Sequence, residues 1–107
     1  MPLDRAPRNL LRLAPALDVA ERNAHALGSF APRYTRMIRP VLRAGQRTRS
    51  PLIVQISQRE MVRYGIAPHE FADAFFEGLA AEKVDVPVVL HLDHTFEMPV
   101  IAAVRVT

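Results

Sequence analysis

The sequence of 107 residues contains no cysteine, and this absence narrows the function classes open to it. Without cysteine, the chain cannot be a disulfide scaffold or hold a metal through thiolates. No apolar run approaches the roughly 20 residues that a transmembrane helix needs, so we expect no membrane partner. Hydrophobic residues nevertheless make up 50% of the chain, which is too many for a disordered protein. These features predict one small domain in a reducing, cytoplasmic setting.

Lysine is almost absent as well, since 13 of the 14 basic residues are arginine and Lys83 is the exception. The formal net charge is +3, but residues 1–50 carry +7 and residues 51–107 carry −4. An arginine-rich half can attract a polyanion, and polyanion binding is one hypothesis for this chain. The arginines are spread along helical faces, however, without interleaved aromatic residues or a continuous basic run. We therefore expect no nucleic-acid partner.

Short apolar runs alternate along the chain with segments in which apolar residues recur every three or four positions. Three strands are predicted from the apolar runs, near residues 26–30, 51–57 and 86–92. Three helices are predicted from apolar spacings of three and four, over residues 9–26, 34–45 and 68–82. Residues 58–65 are predicted as a connecting turn with at most one turn of helix. The alternation predicts an α/β fold made of right-handed βαβ units with a parallel sheet.

The segment His91-Leu92-Asp93-His94 ends the third predicted strand and is the most informative stretch for chemistry. Side chains alternate along a strand, so His91 and Asp93 share one face, and His94 falls in the loop where an imidazole can reach a metal. A carboxylate beside a metal-bound imidazole can serve as a general base. The alternative is that Asp93 or Thr95 caps a following helix and that both histidines are ordinary hydrogen-bonded residues.

Several blocks of this sequence resemble the class II, zinc-dependent fructose-bisphosphate aldolases. The blocks are GSFAPRYTRMI (28–38), SPLIVQIS (50–57), EFADAF (70–75) and PVVLHLDHTFE (87–97). The resemblance covers about residues 15–100, with the blocks in the family's order. It implies a (β/α)₈ barrel that reversibly cleaves a ketose 1,6-bisphosphate to two triose phosphates.

The resemblance also implies roles for individual residues. Asp93 matches the catalytic carboxylate that exchanges a proton with the hydroxyl at the cleaved bond. His94 matches the first of three zinc-binding histidines, with Zn²⁺ polarising the ketose carbonyl. Ser57 matches a position near the bound substrate, although a serine here can equally end the strand with a hydroxyl hydrogen bond. A Schiff-base mechanism is disfavoured, because it needs a lysine on a barrel strand and Lys83 ends a charged helix.

The chain is short for a complete barrel, which takes roughly 250 residues. We expect a partial barrel of about three strands, with a helical segment over 1–25, three βα units over 26–94 and an incomplete tail over 95–107. Such a fragment is expected to be inactive by itself and to be homo-oligomeric or aggregation-prone, because its sheet has an open edge. The rival hypothesis is therefore a non-catalytic α/β fragment that acts in self-association.

Overall fold

The computed structural model describes residues 7–95, which form a parallel β-sheet covered by helices. The strands are β1 (Leu10–Leu11), β2 (Gly28–Phe30), β3 (Leu52–Ser57) and β4 (Val88–Asp93). The helices are α1 (Leu13–Arg22), α2 (Ile38–Thr48), α3 (Gln58–Tyr64) and α4 (Pro68–Ala81), and a 3₁₀ turn at Thr35–Met37 leads into α2. The predicted tail beyond residue 95 and residues 1–6 lie outside the described residues.

The sheet has the order β1-β4-β3-β2, and every neighbouring pair is parallel. Strands β2, β3 and β4 are the three that the sequence predicts, and each is separated from the next by helical chain. The α/β prediction is confirmed, and alternating parallel βα units of this kind make up part of a (β/α)₈ barrel. None of the helices in residues 7–95 has both the length and the apolar character that crossing a bilayer requires.

Strand β1 corrects the predicted helix over residues 9–26. Leu10 and Leu11 pair with Val88 and Val89 instead of joining the helix, which begins at Leu13. The Asn9 side-chain amide donates to the carbonyls of Val84 and Val86 at 3.0 and 2.8 Å. These bonds join residues 75 and 77 positions apart in the chain, so tertiary contacts override the local helical pattern here.

Helix α3 corrects the predicted turn at residues 58–65. Ser57 caps it reciprocally: the Ser57 hydroxyl accepts from the Glu60 amide, and the Glu60 carboxylate accepts from the Ser57 amide, both at 3.1 Å. This capping box satisfies backbone donors that a helix start otherwise leaves unpaired. Gly65 ends the helix at a φ of 64°, in the left-handed region that suits glycine.

The two faces of the sheet pack against different helices. On one face, alternate residues of β3 and β4, including Leu52, Val54 and Val88, pack with the buried sides of α2 and α4. The predicted stripe of α4 is confirmed, with Phe71 and Phe75 fully buried. On the other face, Ile53 and Val89 pack with Ala16 of α1, near the amino ends of the strands.

The apolar spacing that predicts the first helix places Leu17 and Ala20 on its buried side, and this is correct only in part. Ala20 is buried together with Ala16, but Leu17 is 47% exposed. Helix α1 covers one end of a sheet face through Ala16, with Leu13 packed beside it.

Candidate active site

The candidate site lies where strands β3 and β4 end together. The strands are parallel, so their carboxyl ends Ser57 and Asp93 lie at one edge of the sheet, whereas β2 ends earlier, with Phe30 level with Val54. Ser57 is the register partner of Asp93, and Gln55 is the partner of His91. In βα folds the catalytic groups gather at this edge, because the loops that follow the strands surround it.

One sheet face changes from apolar to polar along its length. Ile53 and Val89 are buried under α1, whereas the next residues on the same face are Gln55 and His91, both half-buried. Two residues further on, the face carries Ser57 and Asp93. The period of two places these residues together on the face opposite α2 and α4. The predicted sharing of one face by His91 and Asp93 therefore agrees with the register.

Gln55 is a candidate that the sequence analysis did not single out. Its side chain stands on the same face as Ser57, two residues earlier, and its register partner is His91. The signal available in the sequence was a polar residue inside an otherwise apolar strand, at the same spacing from Ser57 that His91 has from Asp93.

The Asp93 carboxylate is 32% exposed at the end of β4 and is accessible to a small molecule. Its Oδ1 lies 3.8 Å from Nε2 of His94, which is too long for a hydrogen bond but within the range of an ion pair with a protonated imidazole. The Thr95 hydroxyl donates to the Asp93 backbone carbonyl at 3.0 Å, so that hydroxyl caps the end of the strand and leaves the carboxylate open.

His94 follows the strand directly, as the sequence predicts, and its side chain is 77% exposed. Its backbone has a φ of 40°, in the left-handed region that is uncommon for residues other than glycine. Backbones of this kind cluster at functional sites, where the conformation aims a side chain in a particular direction. The turn at His94 gives its imidazole an orientation that continuing the strand would not.

Ser57 is 7% exposed and its hydroxyl is already used by the capping box. The structure therefore accounts for Ser57 by the structural alternative considered from the sequence. A hydroxyl that accepts one hydrogen bond can still donate its own proton, so the side chain keeps one donor for a ligand at this edge.

The donor chemistry here suits zinc, but the number of donors does not. Imidazole and carboxylate are common zinc ligands, and a catalytic zinc site needs three protein ligands and an open position. Within residues 7–95 there is no group of three or more histidine, cysteine, aspartate or glutamate side chains that could hold a metal ion. The described residues therefore do not make a complete metal site.

A lowered carboxyl pKa lies away from this edge, at Glu82 just after α4. Hydrogen bonds from Arg43 and then Arg39 lower the pKa of the Glu82 carboxyl from 4.5 to about 2. The Nε atoms of these arginines lie 2.8 and 2.5 Å from the carboxylate. Glu82 thus ties α2 to the end of α4.

The sequence of this chain also matches a known protein family. Residues 12–105 match the family described as Fructose-bisphosphate aldolase class-II. The chain belongs to the class II fructose-bisphosphate aldolase family. The family resemblance inferred from the sequence blocks is thereby confirmed over most of the chain.

A curated relative is the sulfofructosephosphate aldolase of Alkalicoccus urumqiensis. The two are 28% identical over 79 residues, which cover 73% of this chain. The same alignment covers 26% of the relative. The chain thus spans about a quarter of the length of the curated relative that it matches.

Proposed function

We propose that this chain supplies the Asp93 and His94 end of an active site that reversibly cleaves a ketose 1,6-bisphosphate to dihydroxyacetone phosphate and glyceraldehyde 3-phosphate. The observation that carries the proposal is the pairing of Asp93 with Ser57 at the carboxyl edge, with His94 immediately after the strand. Membership of the class II family supports aldehyde-lyase chemistry at this edge.

Asp93 is the residue proposed to move the proton. In the cleavage direction its carboxylate accepts the proton of the substrate hydroxyl, the C–C bond breaks, and the hydroxyl carbon becomes an aldehyde. The bonding electrons stay on the ketone fragment as an enediolate. In the synthesis direction Asp93 returns the proton to the new alkoxide. One-third exposure of Asp93 is compatible with this role, because a general base must touch the hydroxyl that it deprotonates.

His94 is proposed as one ligand of a catalytic Zn²⁺, whose other ligands would come from outside the described residues. When bound, such an ion would supply Lewis-acid polarisation of the ketose carbonyl. Ser57 is proposed to donate its hydroxyl proton to the substrate while it caps α3. His91 and Gln55 line the same face one step deeper and would border the substrate from below.

The substrate is proposed to be a sugar with an anion at each end. The family description names fructose bisphosphate, and the name of the relative from Alkalicoccus urumqiensis names a sulfofructose phosphate. Both are ketoses that carry a phosphate, and they differ in whether the second anionic group is a phosphate or a sulfonate. Cleavage of the two compounds by the polypeptide that carries this sequence should be compared directly.

Zinc titration by calorimetry tests the ligand role, with His69→Ala as the matched control because His69 is an exposed histidine on α4. The titration uses a polypeptide that carries this sequence together with the remaining zinc ligands, and there we expect His94→Ala to remove zinc binding and His69→Ala to leave it in place. Equal zinc binding by the unchanged polypeptide and by His94→Ala would overturn the ligand role.

Self-association is the second candidate function, and the outer edge of β2 favours it. All three residues of β2 are exposed, and Phe30 is 46% exposed. Beside this edge lies a mainly apolar cavity of about 900 Å³ whose lining includes Phe30, Val41 and Leu52. A second copy of the chain could pair with the free strand edge and cover this cavity. Sedimentation equilibrium tests it: Phe30→Lys should shift the chain toward monomer, and an unchanged distribution of species would refute the role of this edge.

A further inference from the structure

Two tyrosine rings join the loops that follow β2 and β3. Tyr34 lies in the connection from β2 to α2, and Tyr64 ends α3, which directly follows β3. Their ring centroids are 5.8 Å apart at an interplanar angle of 60°, an edge-to-face contact. Tyr64 also packs against the main core, so it anchors the more exposed Tyr34 at the carboxyl edge of the sheet.

An arginine lies over each of these rings. The Cζ atom of Arg36 is 5.5 Å from the ring centroid of Tyr34, and that of Arg63 is 5.9 Å from the ring centroid of Tyr64. Both arginines are exposed. A guanidinium held over a ring loses less freedom when it binds a ligand and still presents its N–H edge outward. We call these four residues the arginine–tyrosine array.

The arginines of the array lack a carboxylate partner within residues 7–95. Three other arginines, on α2 and at its end, differ, because Arg39 and Arg43 pair with Glu82 and Arg49 pairs with Asp85. These latter residues have a structural role that explains their charge. Within residues 7–95, no ion pair of this kind accounts for the charge of Arg36 and Arg63, so their positive charge is available to a ligand.

The carboxylates that begin α3 and α4 are already engaged. Glu60 accepts from the Ser57 amide at 3.1 Å, and Glu70 accepts from the Ala67 amide at 3.2 Å. Each satisfies the first turn of its own helix, and neither forms an ion pair with an arginine of the array. Neither carboxylate therefore occupies the guanidinium groups of the array.

A surface cavity of about 390 Å³ adjoins the array on α3. It is lined by Gln58, Arg59, Val62 and Arg63, so a second arginine lies one turn from Arg63. Helix α3 begins at the residue after Ser57, so this cavity belongs to the same loop system as the candidate active site.

From these contacts we infer that Arg36 and Arg63 bind a tetrahedral oxyanion, the terminal phosphate or sulfonate of a sugar. Planar guanidinium groups match such oxyanions with paired N–H bonds, and Tyr34 and Tyr64 fix the two groups at one edge. The identification of this anion as the far end of the aldolase substrate rests on the proposed function. Anion binding itself follows from the array and is measurable without turnover.

The test is an NMR titration of the full chain with inorganic phosphate and, separately, with methanesulfonate. We expect the largest amide shifts near Arg36 and Arg63, and a loss of affinity of about tenfold or more in the double variant R36Q/R63Q. The variant R36K/R63K keeps the charge but loses the paired N–H geometry, and it should bind with intermediate affinity. The stronger of the two probes identifies the anion as phosphate or sulfonate.

The matched control is R22Q/R47Q, which removes the same charge from the ends of α1 and α2 at the opposite edge of the sheet. It should bind phosphate like the unchanged chain. If both double variants weakened phosphate binding equally, the attraction would be diffuse and the array would not be a site. The same conclusion would follow if the chain bound a DNA duplex more tightly than phosphate and both double variants weakened that binding equally.

The two proposals fail in different ways. D93N should bind phosphate normally, because Asp93 is not part of the array. Arginine-dependent phosphate binding combined with zinc binding that ignores His94 would leave the anion site standing and remove the aldolase assignment. The reverse result, with zinc bound through His94 and phosphate binding indifferent to R36Q/R63Q, would remove the anion site alone.

Discussion

Ser57 and Asp93 face each other in register at the ends of adjacent parallel strands, yet they serve the fold differently. Ser57 is buried and caps α3, whereas the carboxylate of Asp93 is one-third exposed and lies 3.8 Å from the imidazole of His94. Ser57 therefore contributes to the stability of the fold, whereas the carboxylate of Asp93 is free to contact a substrate.

Ser57→Ala should therefore destabilise the chain by about 1 kcal/mol, the usual cost of removing a helix N-cap. The measurement is urea unfolding followed by circular dichroism. Ser50→Ala is the control, because Ser50 is an exposed serine just before β3 and its loss should change stability by less than about 0.5 kcal/mol. Equal effects of the two substitutions would argue against the capping box as a source of stability.

Asp93→Asn should have the opposite profile. Because Asp93 makes no close side-chain hydrogen bond within the described residues, the change in unfolding free energy should stay below about 0.5 kcal/mol. In the polypeptide that carries out aldol cleavage, kcat should fall about a hundredfold to ten-thousandfold, the usual contribution of a general base. Normal kcat in Asp93→Asn would contradict the proton-transfer role.

The strands of the central sheet were predictable because their signal is local. Runs such as Leu52–Ser57 are apolar without alternation, as buried parallel strands are. Strand β1 was not predictable in this way, because Leu10 and Leu11 become a strand through Asn9 and Val88, which are remote in sequence. Helix α3 was missed although its signal was present: a serine followed three residues later by glutamate marks a capping box.

The candidate site was predictable in part for the same reason. Asp93 and His94 stand out as polar residues at the end of an apolar strand, and the parallel sheet then requires Ser57 to lie at the same edge. The contact of Tyr34 with Tyr64 depends on how two loops fold over that edge. No period or motif within either loop encodes this contact, so the arginine–tyrosine array emerged only with the structure.

Gly45 illustrates a packing constraint that gives a further prediction. A Cβ atom added at Gly45 of α2 would lie 1.9 Å from Cδ2 of Leu52, whereas one added at Gly78 of α4 would lie 2.8 Å from Cδ1 of Leu42. Alanine gains about 1 kcal/mol over glycine in a helix, and overpacking costs about 1–3 kcal/mol. Gly45→Ala should therefore destabilise the chain, and Gly78→Ala should have an effect near zero.

A double-mutant cycle in urea checks the cause of that difference. Leu52→Ala alone should cost about 2–5 kcal/mol, since Leu52 is 3% exposed. Combined with Gly45→Ala it should cost clearly less than the sum of the two, because removing the Leu52 side chain also removes the clash. Additive costs would show that Gly45 is required for a reason other than its approach to Leu52.

Glu82 gives the chain an acid-dependent component of stability. Its folded pKa of about 2 lies below its ordinary value of 4.5, because Arg43 and Arg39 donate hydrogen bonds to the ionised carboxylate. A lowered folded pKa stabilises the fold above about pH 4.5, and this contribution is lost as the pH falls from 4.5 toward 2. Unfolding midpoints measured across this range should therefore fall more steeply in the unchanged chain than in Glu82→Gln.

Glu77→Gln, which removes an exposed carboxylate from α4, should keep the steep dependence. Identical acid profiles for the unchanged chain and Glu82→Gln would mean that the link between α2 and the end of α4 contributes nothing to folding.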